Sequence, residues 1–487
     1  MTGPRTSPTV RSEEVLAGSG RDSPPGARST GSAPAAVPRC AVVVLGDLGR
    51  SPRILRQALS LAELAQVDLV GYAGAELPAA VRDHPAVAVH RLPSEPPLEQ
   101  GRGRLMWVDA ARRLLRQSRQ LSRLLLHTLP RPDLLLVQNP PSLPTLAVIW
   151  LVARIRGASW VIDWHNLGFS VLALKLGAEH RATRLARRCE IMLGRRADAH
   201  LCVSAELREA LLTRWGIGPA HVLYDRPAGE RSPSAATGHG GEFLRGLLAD
   251  LDLLPAREGS SSSTHAASPS AGTPRHCRPA VVVSPTSWSL DEDYGLLLEA
   301  LDRCQLTMTR EKATGASFPE IAILLTGMGP LRAEFEARIR EARWSEIRAR
   351  TALLSPDDYA RLLASADLGL CLHRSSSGLD LPMKIADMLG AGLPVCALDY
   401  ARVLAEQFRS GEQGVSFASA EELGDLLVAL FRDFPQPGSR LEALRRSLRE
   451  RPVERWQSGW DREAYPLFAR LLQVEERGAP RTRPAPS

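Results

Sequence analysis

ADLGLCLHRSSSGLDLPMKIADMLGAGLPVCALD, residues 366–399, reads as strand, polar turn, short helix, glycine turn and strand. Leu368 to Leu372 is a short apolar run of the kind a buried parallel strand needs. His373 to Gly378 is a polar loop. Asp380 as cap and Pro382 in the first turn predict a helix over 383–389, stopped by Gly390 and Gly392 before the next strand at 394–398. That βαβ unit commits the chain to the α/β class.

Ser375, Ser376, Ser377 and Gly378 would present hydroxyls and backbone N–H groups at a helix start, where the dipole favours phosphate. Lys384 and Asp387 are three residues apart and share a helix face. A cation by the phosphates and a carboxylate one turn on suit the diphosphate and ribose of a nucleotide sugar. An ordinary βαβ unit with a surface ion pair fits the same residues.

Working outward, 40–45 is a buried strand followed by GDLGRSPR (46–53) and a helix from Ile54, the opening of a doubly wound domain. The turn is GxxG, not GxGxxG. Either the backbone approaches a ligand closely, or this is a plain tight turn. Strand 160–162 delivers Asp163-Trp164-His165-Asn166 to its C-terminal end, where open parallel sheets put ligands. His165 is a candidate general base, and Asp163 a second base or the group that orients it. A purely structural histidine is the alternative. A second buried strand at 279–284 leads into PTSWSLDEDY (285–294). There Ser289 and Glu292 have capping-box spacing, and Asp291 and Asp293 form a DxD that suits either a metal or a carboxylate-rich first turn. Strand 321–325 leads to the glycine loop holding Gly327 and Gly329.

A length of 487 residues predicts two or three domains, and a net charge of +7 suits anionic partners. Cations are almost all arginine; the lysines are Lys175, Lys312 and Lys384, so a lysine on the phosphate helix stands out as a compact point charge. Seven scattered cysteines without a CxxC pair suit a reduced compartment and argue against a zinc site or disulfide framework. No apolar run reaches the ~18 residues of a membrane-spanning helix. The pattern over 104–129 is a basic helix whose Met106, Leu114, Leu121, Leu124 and Leu125 either pack on a sheet or meet an anionic membrane. The expected organisation is a disordered 1–38, an acceptor-side domain 39–228, a flexible insertion 229–278, a nucleotide-sugar domain 279–452, a terminal helix 453–474 and a tail 475–487.

Two doubly wound halves with ligand signals in both describe the GT-B fold, two Rossmann-like domains facing a cleft. VVLGDLGRSPR (43–53), QNPPSLP (138–144), VIDWHN (161–166), TSWSLDED (286–293), LTGMGPLR (325–332) and the 366–390 block resemble the chitobiosyldiphosphodolichol β-mannosyltransferases. The resemblance spans about 40–472. It implies β1,4 transfer of mannose from GDP-mannose to GlcNAc2-diphosphate-dolichol in N-glycan precursor assembly, on the cytosolic face of the endoplasmic reticulum membrane. It implies inversion, with His165 or Asp163 as base. Donor contacts fall to Ser375, Ser376, Ser377, Gly378, Lys384, Asp387, Gly327 and Gly329, and acceptor contacts to Gly46, Gly49 and Arg50. No cofactor, metal or nucleic acid is implied. Many retaining relatives carry a glutamate eight residues before Asp387; Leu379 stands there, which suits an inverting enzyme. Family members usually begin with a membrane anchor, whereas 1–38 is polar. Either this is an isoform or a mispredicted start, or the membrane is held through other surfaces, for which the 104–129 helix and partner mannosyltransferases of the pathway are the candidates. The rival readings are a catalytically inactive GT-B scaffold subunit and a GT-B enzyme with a different acceptor.

Overall fold

The structure, a computed structural model, describes residues 37–93, 104–228, 239–254 and 279–474. The expected disordered start up to residue 36, the insertion apart from 239–254, and the tail lie outside the described residues.

Valine and leucine runs make the first sheet. Its strands are β1 (Arg39–Asp47), β2 (Gln66–Tyr72), β3 (Val87–Leu92), β4 (Leu134–Asn139), β5 (Ser159–Trp164), β6 (Ala199–Cys202) and β7 (Ala220–Val222). They run parallel in the order β3-β2-β1-β4-β5-β6-β7. Alternate residues of β1 feed opposite faces: Ala41 and Val43 join one helical layer, Val42 and Val44 the other. The order reverses between β1 and β4, so their C-terminal ends open the crevice that doubly wound sheets use for ligands.

The second sheet comprises β8 (Ala280–Pro285), β9 (Ile321–Thr326), β10 (Ile347–Ala352), β11 (Leu368–Cys371), β12 (Val395–Leu398) and β13 (Gly414–Phe417). It is also parallel, in the order β10-β9-β8-β11-β12-β13. Its switch point, between β8 and β11, puts residues 366–399 at the second crevice. The chain then returns to the first half. Trp456, Trp460, Leu467 and Phe468 pack among Val42, Val44 and Leu69, and Trp456 Nε1 donates to Ser60 Oγ at 3.0 Å.

The expected terminal helix forms over 456–471 and runs unbroken, wound more widely for one turn at 460–464. Two local expectations are corrected. Ser289 does not cap the helix Tyr294–Ala313; Asp293 does, accepting from Leu296 N at 3.0 Å. Asp380 does not cap the helix Met383–Gly390, which starts after Pro382 with no side-chain cap. Of the two readings of the helix Arg104–Arg123, packing holds for Leu121 and, beyond it, Leu125, while Leu114 is exposed.

Candidate functional site

Polar burial concentrates where the two crevices meet. The helix Pro52–Leu61 opens with proline at its first position, and it buries Arg53 and Gln57 fully alongside Ile54 and Leu61. Arg53 spans the carboxylate of Asp163, at the end of β5, with Nε at 2.9 Å and Nη2 at 2.8 Å. Gln57 Nε2 donates to the same carboxylate at 3.0 Å. The remaining Arg53 nitrogen donates to Leu223 C=O at 2.7 Å and to Asp225 at 3.1 Å. Burial alone would raise the Asp163 pKa. The Arg53 charge outweighs it and, with His165, holds the carboxyl well below the usual carboxylate range.

An ionised Asp163 can only accept hydrogen bonds. His165 Nε2 lies 2.7 Å from its Oδ2, so Nε2 carries the proton in that bond, and Nδ1 has no hydrogen-bond partner among the described residues. The ring is the more accessible member of the pair, 19% exposed against 0% for Asp163. Asp163 is therefore placed to orient His165. With every hydrogen bond internal, it is badly placed to take a proton from a substrate itself.

Asn166 follows directly and reaches the other half. Its Nδ2 donates to Ser376 Oγ at 3.2 Å, and Ser170 Oγ lies 2.9 Å from that same oxygen. The Asp163–Asn166 turn and the serine loop, separate in sequence, thus form one cluster. Leu379 seals it from beneath. Its side chain is buried within the first half's core, and its carbonyl accepts from Ser204 Oγ. A leucine there contributes apolar packing where a glutamate would bring charge.

The loop itself departs from expectation. The N–H groups of Ser377 and Gly378 donate to Ser375 Oγ at 3.3 and 2.8 Å, and that of Leu379 to Ser377 Oγ at 3.2 Å. Gly378 takes φ +73°, the left-handed conformation such a turn requires. These N–H groups are satisfied internally, within the loop itself. Ser375 and Ser377 also donate to Asp380, and His373 bridges Asp380 Oδ2 at 3.2 Å and Asp291 Oδ2 at 3.3 Å. Burial works against a charged His373, but its hydrogen bonds to the two aspartates raise its pKa to about 9.

Lys384 points to Glu292, with Ser287 Oγ at 3.3 Å. Glu292 is buried and also accepts from Ser287 N at 2.8 Å, Trp288 N at 3.0 Å and the Tyr294 hydroxyl. The ammonium is thereby held at a fixed place beside the 286–288 turn. Gly327 and Gly329 pack against that turn: an added Cβ would lie 1.9 Å from Thr286 O and 2.0 Å from Ser287 O respectively. They bring the β8 and β9 loops together.

Asp387 faces the first half. Its Oδ1 pairs with Arg56 Nη2 at 3.2 Å; burial raises its pKa, Arg56 opposes and Asp225 adds to the rise. Glu406 makes a second clasp, accepting from Ala205 N, Glu206 N and the Tyr224 hydroxyl, the last two at 2.9 Å. Ala205 and Glu206 open the helix Ala205–Trp215, so the carboxylate meets both its open N–H groups and its dipole.

The Gly46–Arg50 turn is a structural corner. Asp47 accepts from Gly49 N and Ala75 N at 3.0 Å, and a Cβ on Gly49 would lie 2.5 Å from Ala75 O. Gly49 thus meets the backbone of a second chain segment. Gly46 has only ordinary contacts. Arg50 is 51% exposed beside Asp47. Asp291 and Asp293 are occupied by His373 and by the helix cap, and among the described residues no group of three or more His, Cys, Asp or Glu is placed to hold a metal.

Sequence reasoning missed Arg53, Arg56, Asp225 and Glu406. It also missed Glu190, whose buried carboxylate accepts from Asn139 Nδ2 at 2.7 Å, Gly168 N at 2.9 Å and Phe169 N at 3.0 Å. A buried acid ending a strand needs a cation, which is the one signal that could have led from Asp163 to Arg53.

The family described as Glycosyl transferase 4-like domain matches residues 49–224, and that described as Glycosyl transferase-like matches 310–464. The chain is similar to the Mus musculus chitobiosyldiphosphodolichol beta-mannosyltransferase, 37% identical over 447 residues and 88% of each chain. With the Homo sapiens protein of that name it shares 36% over 439 residues, 87% of this chain and 91% of that one. UDP-glycosyltransferase TURAN of Arabidopsis thaliana is 36% identical over 460 residues, 89% and 98% of the two chains. Among solved structures it resembles Anabaena Alr3699/HepE in complex with UDP-glucose, with TM-score 0.59 and 14% identity over 88% of this chain and 99% of that one. WaaG, a glycosyltransferase involved in lipopolysaccharide biosynthesis, follows with TM-score 0.55 and 14% identity over 87% and 99%. At such identities the likeness speaks for the fold, which is GT-B.

Proposed function

Since the chain belongs to the chitobiosyldiphosphodolichol beta-mannosyltransferase family of glycosyltransferases, we propose that it transfers mannose from GDP-mannose to GlcNAc2-diphosphate-dolichol, in a β1,4 linkage. The first half, 39–228, takes the acceptor and the second, 279–452, the donor. The observation that carries this reading is the junction of Asn166 and Ser170 with Ser376, which sets a histidine–aspartate pair beside the serine loop.

GDP-mannose is an α-linked donor, so a β product requires inversion in one displacement. The acceptor hydroxyl oxygen attacks the anomeric carbon, the bond to GDP breaks, and the hydroxyl proton moves to His165 Nδ1. Asp163 fixes the tautomer that leaves Nδ1 free and stabilises the imidazolium that forms. On donor binding Lys384 exchanges Glu292, and the Ser375 and Ser377 hydroxyls exchange Asp380, for the diphosphate, where with Ser376 they stabilise the departing charge; Asp387 accepts from the ribose. Gly378, Gly327 and Gly329 shape the donor loops. Gly46, Gly49 and Arg50 border the acceptor side, Arg50 facing its diphosphate. The reaction takes place at the endoplasmic reticulum membrane, on its cytosolic face, alongside other mannosyltransferases of the same pathway.

Radiolabelled GDP-mannose with a GlcNAc2-diphosphate lipid tests this. Label should enter the lipid, and UDP should not compete as GDP does. The Arabidopsis relative's name makes a UDP-sugar the second donor to try. Transfer from a UDP-sugar alone would replace the donor assignment.

A further inference from the structure

The helix Gly168–Leu176, GFSVLALKL, is apolar nearly all round, yet its only buried residue is Ser170. An amphipathic surface helix buries its apolar side and shows its polar one; here the serine turns inward to Ser376, while Val171 and Leu174 are exposed. The anomaly is not local. Of the fifteen large apolar side chains most exposed among the described residues, ten lie on the five helices over one face of the first sheet. They include Leu115, Ile155, Leu174, Leu185 (60% exposed) and Met192. The second half contributes four.

Charge over residues 168–196 is mainly positive, although the exposed Glu179 pairs with Arg184. Residues 168–196 carry seven cations, Lys175 and six arginines, against Glu179 and Glu190, and Glu190 is buried. Lys175, Arg181 and Arg188 make no ion pair among the described residues. Arg188, Arg195 and Arg196 line, with Ile191 and Met192, an open depression of about 660 Å³. Apolar side chains ringed by guanidinium groups match the acyl boundary and the headgroups of an anionic bilayer.

We propose that this face, centred on the helix Gly168–Leu176 and the basic helix Arg181–Gly194, seats on an anionic phospholipid bilayer. Because Ser170 belongs both to that helix and to the Ser376 junction, seating it brings the reaction centre to the membrane surface, where a lipid-linked acceptor lies. The proposal rests on the proposed acceptor only for that last step, since docking is read without donor or acceptor.

The test is flotation of the full chain with phosphatidylcholine vesicles, with and without phosphatidylserine. The unsubstituted protein should float with the anionic vesicles and less so at high salt. Val171→Ser/Leu174→Ser/Leu185→Ser, checked for an unchanged melting temperature, should lower partitioning about tenfold. Arg181→Gln/Arg188→Gln should reduce its salt dependence. Undiminished flotation of the triple-serine protein overturns the proposal, as does no flotation of the parent. Loss of self-association in the triple-serine protein with flotation intact would make the face a protein interface instead.

Discussion

Asp163 Oδ2 lies 2.7 Å from His165 Nε2, and the same carboxylate is clamped by the fully buried Arg53. Asp163→Asn removes a buried charge that Arg53 and His165 both require. It should cost about 3–5 kcal/mol of stability, because an uncompensated buried charge remains. Urea unfolding followed by tryptophan fluorescence measures this. A loss below ~1 kcal/mol would mean the pair is far less desolvated than its burial indicates.

His373 carries the pH dependence. Its folded pKa, about 9, exceeds an unfolded value of about 6.5. Its contribution to stability is therefore complete below about pH 6.5, and is lost as pH rises through about 9. Melting temperature should fall across that window, and His373→Gln should flatten the fall. An equal slope in both proteins would assign the titration elsewhere.

The two glycines of the first turn should separate packing from binding. Gly49→Ala forces a Cβ to 2.5 Å from Ala75 O and should cost about 1–3 kcal/mol. Gly46→Ala, whose nearest contact is 3.4 Å, should leave stability within about 0.5 kcal/mol and raise KM for the acceptor. Equal stability losses would refute this division.

Lys384→Met should weaken GDP-mannose binding about tenfold to a hundredfold, the worth of a charge-assisted hydrogen bond to phosphate. Calorimetry of donor binding reads this directly. Unchanged affinity would confine Lys384 to its pairing with Glu292.

The parallel sheets were legible because runs such as Val42–Val43–Val44 and Leu134–Leu135–Leu136 are apolar on both faces, which only buried parallel strands need. β10 and β13 escaped notice: Ile347–Ala352 alternates with arginines and Gly414–Phe417 is short. The helix Gly168–Leu176 was missed because a segment apolar on every side has no helical period to detect. At the site, His165 and the serine loop carry visible chemistry. Arg53 does not, since nothing local marks one arginine of an arginine-rich chain as the buried one. Glu292 misled for a related reason. Its spacing from Ser289 fits a capping box, but its carboxylate turns instead to Ser287, Trp288 and Lys384, a long-range pairing that spacing cannot encode.

The most direct test of the account is kcat for His165→Ala in mannosyl transfer from GDP-mannose to the GlcNAc2-diphosphate lipid, with donor affinity measured on the same protein. Loss of a general base should lower kcat about 10²–10⁴-fold and leave donor affinity unchanged. A His165→Ala protein that keeps kcat within about threefold of the parent, well short of general-base catalysis, would contradict the assignment of His165 as the base.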